Sequence, residues 1–129
     1  MKHQDSELSY VAGLFDALGN IKIRVPKDDI KSAFLFVWVT SSNFRMIQFL
    51  QHFGATLDRK DVNQFRAKWK DAKAYNFLRS IVSHSKLKRD QIEVGIEFFI
   101  NKLKNEDPQS YVLPLKIRLR LLKKEDQNT

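Results

Sequence analysis

The sequence predicts one α+β domain in which helices cover one face of a four-stranded antiparallel sheet. Three observations indicate this fold class: an apolar helical pattern opens the chain, two strand patterns follow it, and the second half repeats the same order. The 129 residues, 43% of them hydrophobic, are enough for one domain with a substantial core. We therefore expect a single domain over 1–129, with its core over about 6–105 and a tail over 106–129.

The first helix and strand are the most clearly patterned elements. Apolar residues recur at helical spacing over 8–15, Asp5 or Ser6 can cap the helix, and Gly19 can end it. Residues 20–25 then alternate polar with apolar side chains, which predicts a strand with one basic face.

The next two elements complete the first half of the pattern. Residues 33–40 are apolar, β-branched or aromatic on both faces, which is typical of a central strand. A second helix is expected to begin near 41–43, to continue through Phe53, and to be closed by Gly54.

The second half is predicted to contain a hairpin and at least two helices. The hairpin strands are expected over 55–61 and 63–70, and amphipathic helices over 71–82 and 88–103. The alternation of apolar residues in 111–123 leaves helix and strand open, with helix favoured.

The charge balance points to a polyanionic partner. The chain has 23 Lys and Arg against 15 Asp and Glu, a net charge of +8, which favours nucleic acid. No apolar run approaches the roughly 18 residues of a membrane span, the first residues do not resemble a signal peptide, and cysteine is absent. We therefore expect an intracellular protein with no membrane partner.

Sequence motifs for several common chemistries are missing. The phosphate-binding, dinucleotide-binding, zinc-protease and lipase motifs do not occur. The histidines His3, His52 and His84 lie in unrelated segments without the spacing of metal ligands, so no metal ligand is assigned to them.

The segment VAGLFDALG, residues 11–19, resembles the LAGLIDADG signature of homing endonucleases, and it lies at a predicted helix-to-strand junction. The resemblance covers most of residues 6–105 and implies that family's αββαββα fold. Farther on, AYNFLRSIVSHSKLKRDQ resembles the stretch that supplies a basic residue near the cleavage centre in single-motif members. By that resemblance Lys88 is the carried-over catalytic lysine, and Arg45 is a second basic candidate.

The single motif helix implies a homodimer, because the family pairs two such helices about a two-fold axis. The small residues at i,i+4 spacing would form the helix interface, namely Ala12, Gly13, Asp16 and Ala17. Two basic sheets would then form one saddle over double-stranded DNA. The side chains expected to contact DNA are Asn20, Lys22, Arg24, Arg59, Gln64, Arg66 and Lys68.

Leu18 occupies the position at which family members place the acid that holds a divalent metal between the scissile phosphates. Leucine has no oxygen ligand, and Asp16 lies roughly 200° around the helix from it. Ser41 stands where active relatives often have glutamine. We therefore expect no metal cofactor and no cleavage, unless an acid elsewhere replaces the lost one and holds a metal such as Mg²⁺.

Three aromatic residues of the central strand leave the function partly open. Phe34, Phe36 and Trp38 are expected on the DNA side of the sheet, either packed against neighbouring strand residues or available to stack on unpaired bases. We therefore expect a cleavage-deficient protein that binds duplex DNA, and we keep two alternative functions open. One is an intron RNA-binding, maturase-like splicing factor, and the other is an active nuclease with an acid-bearing partner or a relocated acid.

Overall fold

A computed structural model describes residues 3–127 of the chain. Five helices and four strands follow one another in the order predicted from the sequence. Their bounds are α1 Asp5–Leu18, β1 Gly19–Arg24, β2 Phe34–Ser41, α2 Phe44–Phe49, β3 Thr56–Asp61, β4 Gln64–Lys70, α3 Ala72–Ile81, α4 Arg89–Leu103 and α5 Pro108–Gln127.

The four strands form one antiparallel sheet in the order β1-β2-β4-β3. Because side chains alternate along a strand, the sheet has an inner face toward the helices and an outer face that the helices α1 to α4 leave open. The predicted α+β architecture is confirmed.

The inner face of the sheet forms the core with α1, α3 and α4. Trp69 shows how tightly it is packed: its ring stacks on Phe77 with centroids 3.9 Å apart, and its indole N–H donates to the carbonyl of Phe53 at 2.9 Å. This hydrogen bond offsets the free-energy cost of removing the indole N–H from water. The inward side chains of the strands are almost completely buried: Ile21, Ile23, Leu35, Val37, Val39, Ala67 and Trp69.

The junction between α1 and β1 requires glycine. A Cβ atom at Gly19 would overlap the ring of Phe15, which is fully buried directly beneath it. The glycine therefore lets the chain leave the helix and enter the sheet without displacing a core aromatic residue.

Two helix ends differ from the expectation. The residue that caps α1 is Gln4, because Gln4 and Glu7 form a reciprocal capping box and the helix begins at Asp5. After Phe49, α2 tightens into a 3₁₀ turn over 50–53, and Gly54 ends it with a φ of 90°.

The C-terminal segment is a helix and part of the domain. Tyr111, Val112, Leu115 and Leu119 of α5 are buried in the hydrophobic core, where α5 packs against α4. The core therefore extends past residue 105, which corrects the expectation that residues 106–129 are a tail outside it.

Within residues 3–127, none of the helices is both long enough and apolar enough to cross a lipid bilayer.

Candidate nucleic-acid interface

The outer face of the sheet is basic at its sides and aromatic along β2. Directly opposed residues of antiparallel strands lie on the same face, so the strand register assigns each side chain. Phe36 lies between Lys22 and Lys70, and Trp38 lies between Asn20 and Lys68. β2 thus carries an apolar ridge between two polar, largely cationic strands.

The ridge consists of Phe34, Phe36 and Trp38, all half-buried. It is therefore neither core nor fully solvated. Arg24 lies 4.8 Å from the ring centroid of Phe36, and Lys70 lies 4.3 Å from that of Phe34. These are cation–π distances, so Arg24 and Lys70 are held against the ridge.

An ionic cluster fixes the cations of the β3–β4 hairpin. Asp58 accepts hydrogen bonds from Arg66 Nε at 2.9 Å and Nη2 at 2.7 Å, and from Lys68 Nζ at 2.8 Å. The hydrogen bond from Arg66 is the main reason that the pKa of Asp58 falls to about 2. The same pairing raises the pKa of Arg66. The guanidinium is therefore held in one plane by a bidentate contact.

Arg59 lies on the opposite face from the other predicted DNA contacts. It is paired with Phe65 across the hairpin, and its guanidinium lies 5.3 Å from that ring. The inner face carries Phe65, so the assignment of Arg59 to the outer face is corrected. An irregularity between Arg59 and Asp61 disturbs the simple alternation of β3.

At the end of α1, the carboxylate of Asp16 is bound by its own chain. It accepts hydrogen bonds from Ser85 Oγ at 2.5 Å and from the backbone N–H groups of Lys86, Leu87 and Lys88 at 2.8 to 3.1 Å. Partial burial pushes the pKa of Asp16 up, but these hydrogen bonds outweigh it, so the pKa lies below its ordinary value. Asp16 thus joins α1 to the turn before α4.

Lys88 reaches the same helix end from the other side. Its Nζ donates to the carbonyl of Gly19 at 2.7 Å and to that of Phe15 at 3.3 Å. A cation is favourable there because the last carbonyls of a helix carry partial negative charge. Burial lowers the pKa of Lys88, while Asp16 and Asp126 act against that shift. The ammonium has three donors, so one remains for a further acceptor.

An open cavity of about 370 Å³ lies beside Lys88. Sequence reasoning missed two of its residues, Lys123 and Asp126, because both come from α5. The amide of Gln91 donates to the Asp126 carboxylate. Burial lowers the pKa of Lys123, and the neighbouring Lys22 and Lys88 lower it further. Three lysines therefore converge on this part of the molecule.

Arg45 lies apart from Lys88. It is exposed on α2, a helix that packs on β2 and β4, and it is not among the residues that line the cavity. The structure thus brings only one of the two carried-over basic residues to the end of α1.

Leu18 and Asp16, at the end of α1, offer no free oxygen ligand to a divalent metal. Leu18 offers no oxygen, and both oxygens of Asp16 are occupied by donors from the same chain. In the described part of the chain, no three acidic or histidine side chains lie close enough to share a metal ion.

One face of α1 is exposed and apolar. Its members recur at helical spacing, and Tyr10 and Leu18 are 56% and 38% exposed. We call this set the α1 stripe: Tyr10, Gly13, Leu14, Ala17 and Leu18. Ala12 is completely buried in its own chain and Asp16 is bound there, so placing these two side chains in a helix–helix interface is corrected.

No protein-family model and no curated protein matches the sequence. The similarity is instead found among solved structures.

Three of these structures show the extent of the similarity. I-CvuI, solved in complex with its target, has a TM-score of 0.76 at 18% identity, covering 91% of this chain and 82% of its own. The archaeal intron-encoded homing endonuclease I-Vdi141I, complexed with DNA, has a TM-score of 0.77 at 17% identity, covering 93% of this chain and 86% of its own. I-SmaMI, bound to uncleaved DNA target, has a TM-score of 0.73 at 14% identity, covering 92% of this chain but 45% of its own. At these identities the similarity establishes that the chain has the homing endonuclease fold.

Proposed function

We propose that the chain descends from LAGLIDADG homing endonucleases and is a dimeric, sequence-specific duplex-DNA-binding protein that does not cleave its target. The observation that carries this proposal is Leu18 at the end of α1, beside an Asp16 carboxylate already bound by its own chain. DNA binding is supported by the basic outer face and by relatives of the same fold solved with their DNA.

Dimerisation is supported by the α1 stripe. An exposed apolar helix face of this kind is stabilised when a second copy covers it. The similarity to I-SmaMI covers 92% of this chain but only 45% of I-SmaMI. This chain therefore corresponds to about half of I-SmaMI, which agrees with a domain that functions as a dimer. Two copies related by a two-fold axis would recognise an approximately palindromic site.

Loss of cleavage is supported by the lack of a free oxygen ligand on Leu18 and Asp16 at the end of α1. Metal-assisted phosphodiester hydrolysis needs oxygen ligands that hold the ion against the reacting phosphate. Leu18 provides none, whereas Lys88 retains an ammonium donor that can bind a phosphate oxygen. The centre therefore keeps phosphate affinity without the metal.

A working nuclease is the second candidate, and Asp126 favours it. Its carboxylate, supplied by α5, lines the cavity beside Lys88 and Asn20. An acid relocated to this position would replace the one that Leu18 lacks. Against it, Asp126 already accepts a hydrogen bond from Gln91, and Lys88 and Lys123 line the same cavity.

The proposal is tested by selecting bound sequences from random duplex DNA and from structured RNA, each with and without Mg²⁺. We expect an approximately palindromic duplex that is recovered intact. Selection of RNA alone would favour the maturase-like alternative. Specific cutting that is lost in Asp126→Asn would favour the nuclease.

The Gly13→Leu variant tests the dimer. A Cβ atom at Gly13 would meet no atom within 4 Å, so leucine there should leave the fold intact while it separates two paired helices. We expect a dimer for the wild type and a shift to monomer for the variant in equilibrium sedimentation. Asn76→Leu, on the exposed side of α3, is the control and should stay dimeric. A wild-type monomer at micromolar concentration, with and without DNA, would refute the paired-helix arrangement.

A further inference from the structure

The aromatic ridge on β2 consists of side chains that phosphate binding does not require. Phe34, Phe36 and Trp38 lie in a line on an inner strand of the sheet, between the polar residues of β1 and β4. The buried inner side chains of the same strand, Leu35 and Val37, already supply its contribution to the core. The ridge is therefore apolar surface that the core does not need, and it lies on the face whose positive charge is complementary to nucleic acid.

In a complex in which the outer face of the sheet enters the major groove, the ridge would lie over the base edges at the floor of the groove. When a sheet enters the major groove, its inner strand lies nearest the base edges, while the flanking strands lie nearer the backbones. Lys22 on one side and Lys68 on the other can then reach phosphates. The half-buried rings between them would meet the edges of bases.

The arrangement of the rings favours methyl groups over stacked bases. Arg24 lies 4.8 Å from the Phe36 centroid and 5.8 Å from that of Trp38, and Lys70 lies 4.3 Å from that of Phe34. Phe36 and Trp38 also lie against each other, with centroids 5.2 Å apart. Cations and neighbouring rings thus compete with bases for the ring faces. In the major groove, the apolar group that a base edge presents is the 5-methyl of thymine.

We propose that Phe34, Phe36 and Trp38 form a thymine-reading ridge that contacts 5-methyl groups in the major groove, and that they set part of the sequence specificity. The inference rests on the proposed duplex binding and adds the base feature that the sheet recognises. Arg24, held against the same rings, is positioned to donate to a neighbouring guanine, whose O6 and N7 accept in that groove.

The test uses the full-length protein and the duplex selected from a random pool. Each thymine in that duplex is replaced in turn by deoxyuridine, which removes the methyl group and leaves the pairing unchanged. At thymines under the ridge, we expect the dissociation constant of the wild type to rise about threefold to tenfold, because apolar contact area is lost. At thymines elsewhere it should stay the same.

Two variants assign the effect to the ridge. Phe36→Ala should bind both duplexes more weakly and should lose most of the difference between thymine and deoxyuridine. Phe44→Ala removes an aromatic residue that is 46% exposed on α2 and should keep the difference. The ratio of the two dissociation constants is measured within each variant, so a general loss of stability does not imitate the result.

The outcomes separate this inference from the proposed function. Duplex binding that is equal for thymine and deoxyuridine at every position in the wild type would refute the ridge and leave duplex binding standing. No binding to any duplex would refute both. A preference for single-stranded RNA that Trp38→Ala abolishes would show that the rings stack on bases and would overturn the thymine-reading ridge.

Discussion

β1 and the β3–β4 hairpin contribute cations to the same face of the sheet, but in different electrostatic states. Within residues 3–127, Lys22 and Arg24 of β1 form no ion pair. Arg66 and Lys68 of β4 share the carboxylate of Asp58 at 2.7 and 2.8 Å. A sequence count of basic residues treats the two regions as equal.

This difference in ion pairing implies different roles for the two regions in DNA binding. A phosphate that meets β1 neutralises a charge that is not ion-paired, whereas one that meets the hairpin competes with a carboxylate already in place. Asp58 also holds the guanidinium of Arg66 in a defined plane. Less side-chain conformational entropy is therefore lost when Arg66 binds a base edge. We therefore expect β1 to supply most of the salt-dependent affinity and the hairpin to supply geometry.

The largest effect is expected for the double variant Lys22→Ala/Arg24→Ala. Losing two cations that form no ion pair should weaken DNA binding by roughly one to two orders of magnitude and flatten the plot of log K against log salt concentration by about 0.9 for each phosphate contact that is lost. Fluorescence anisotropy titrations over a range of salt concentrations measure both quantities.

Lys73→Ala/Arg79→Ala is the matched control for that variant. It removes the same charge from exposed positions on α3, on the helix side of the sheet. If the control flattens the slope as much as the β1 variant does, net charge rather than the outer face governs binding.

An effect of opposite sign is expected for Asp58→Asn. Removing the carboxylate frees Arg66 and Lys68 for phosphates, so DNA affinity should rise about threefold to tenfold and the salt dependence should steepen. The free energy of unfolding should fall by about 1 kcal/mol, because a partly exposed ion cluster contributes modestly. Glu93→Gln, an exposed position on α4, is the control and should change neither quantity. Weaker binding by Asp58→Asn would mean that holding Arg66 in place matters more than releasing its charge.

The smallest effect is expected in acid. The pKa of Asp58 is about 2 against an ordinary value of 3.8, so its contribution to stability is complete above pH 4 to 5 and is lost as the pH falls toward 2. The difference in free energy of unfolding between wild type and Asp58→Asn should therefore shrink over that range. Urea unfolding at several pH values measures it, and the other acids cancel because both proteins share them. A difference that does not change down to pH 2 would exclude the ionic cluster as its source.

Sequence patterns predicted the elements whose burial is one-sided. Over residues 20–25, the alternation follows directly from the side of the sheet that the helices cover. Over residues 33–40, the apolar outer residues did not reveal that this face is open. The tail was ambiguous for a physical reason. Ile117 and Leu121 are 52% and 55% exposed, and together with the buried Leu119 they imitate the period of a strand.

The site could be predicted where a stretch of sequence resembles a known family, which includes Lys88 at the end of α1. The motif located Leu18, Gly19 and the corner between α1 and β1. The α5 residues Lys123 and Asp126 come close to Lys88 through packing between distant helices, and no spacing in the chain records that proximity. Arg59 was assigned to the wrong face because its orientation depends on the strand register and on an irregularity beside it.

Binding without cutting is tested most directly by incubating the purified wild-type protein with its selected duplex in Mg²⁺ and in Mn²⁺, and by measuring the bound fraction and the strand integrity in the same sample. We predict a saturable, salt-dependent complex in which both strands remain at full length, because Leu18 gives each helix end no ligand for the ion. Metal-dependent cleavage at a defined position by the purified protein would contradict that prediction and would assign the chain to active endonucleases.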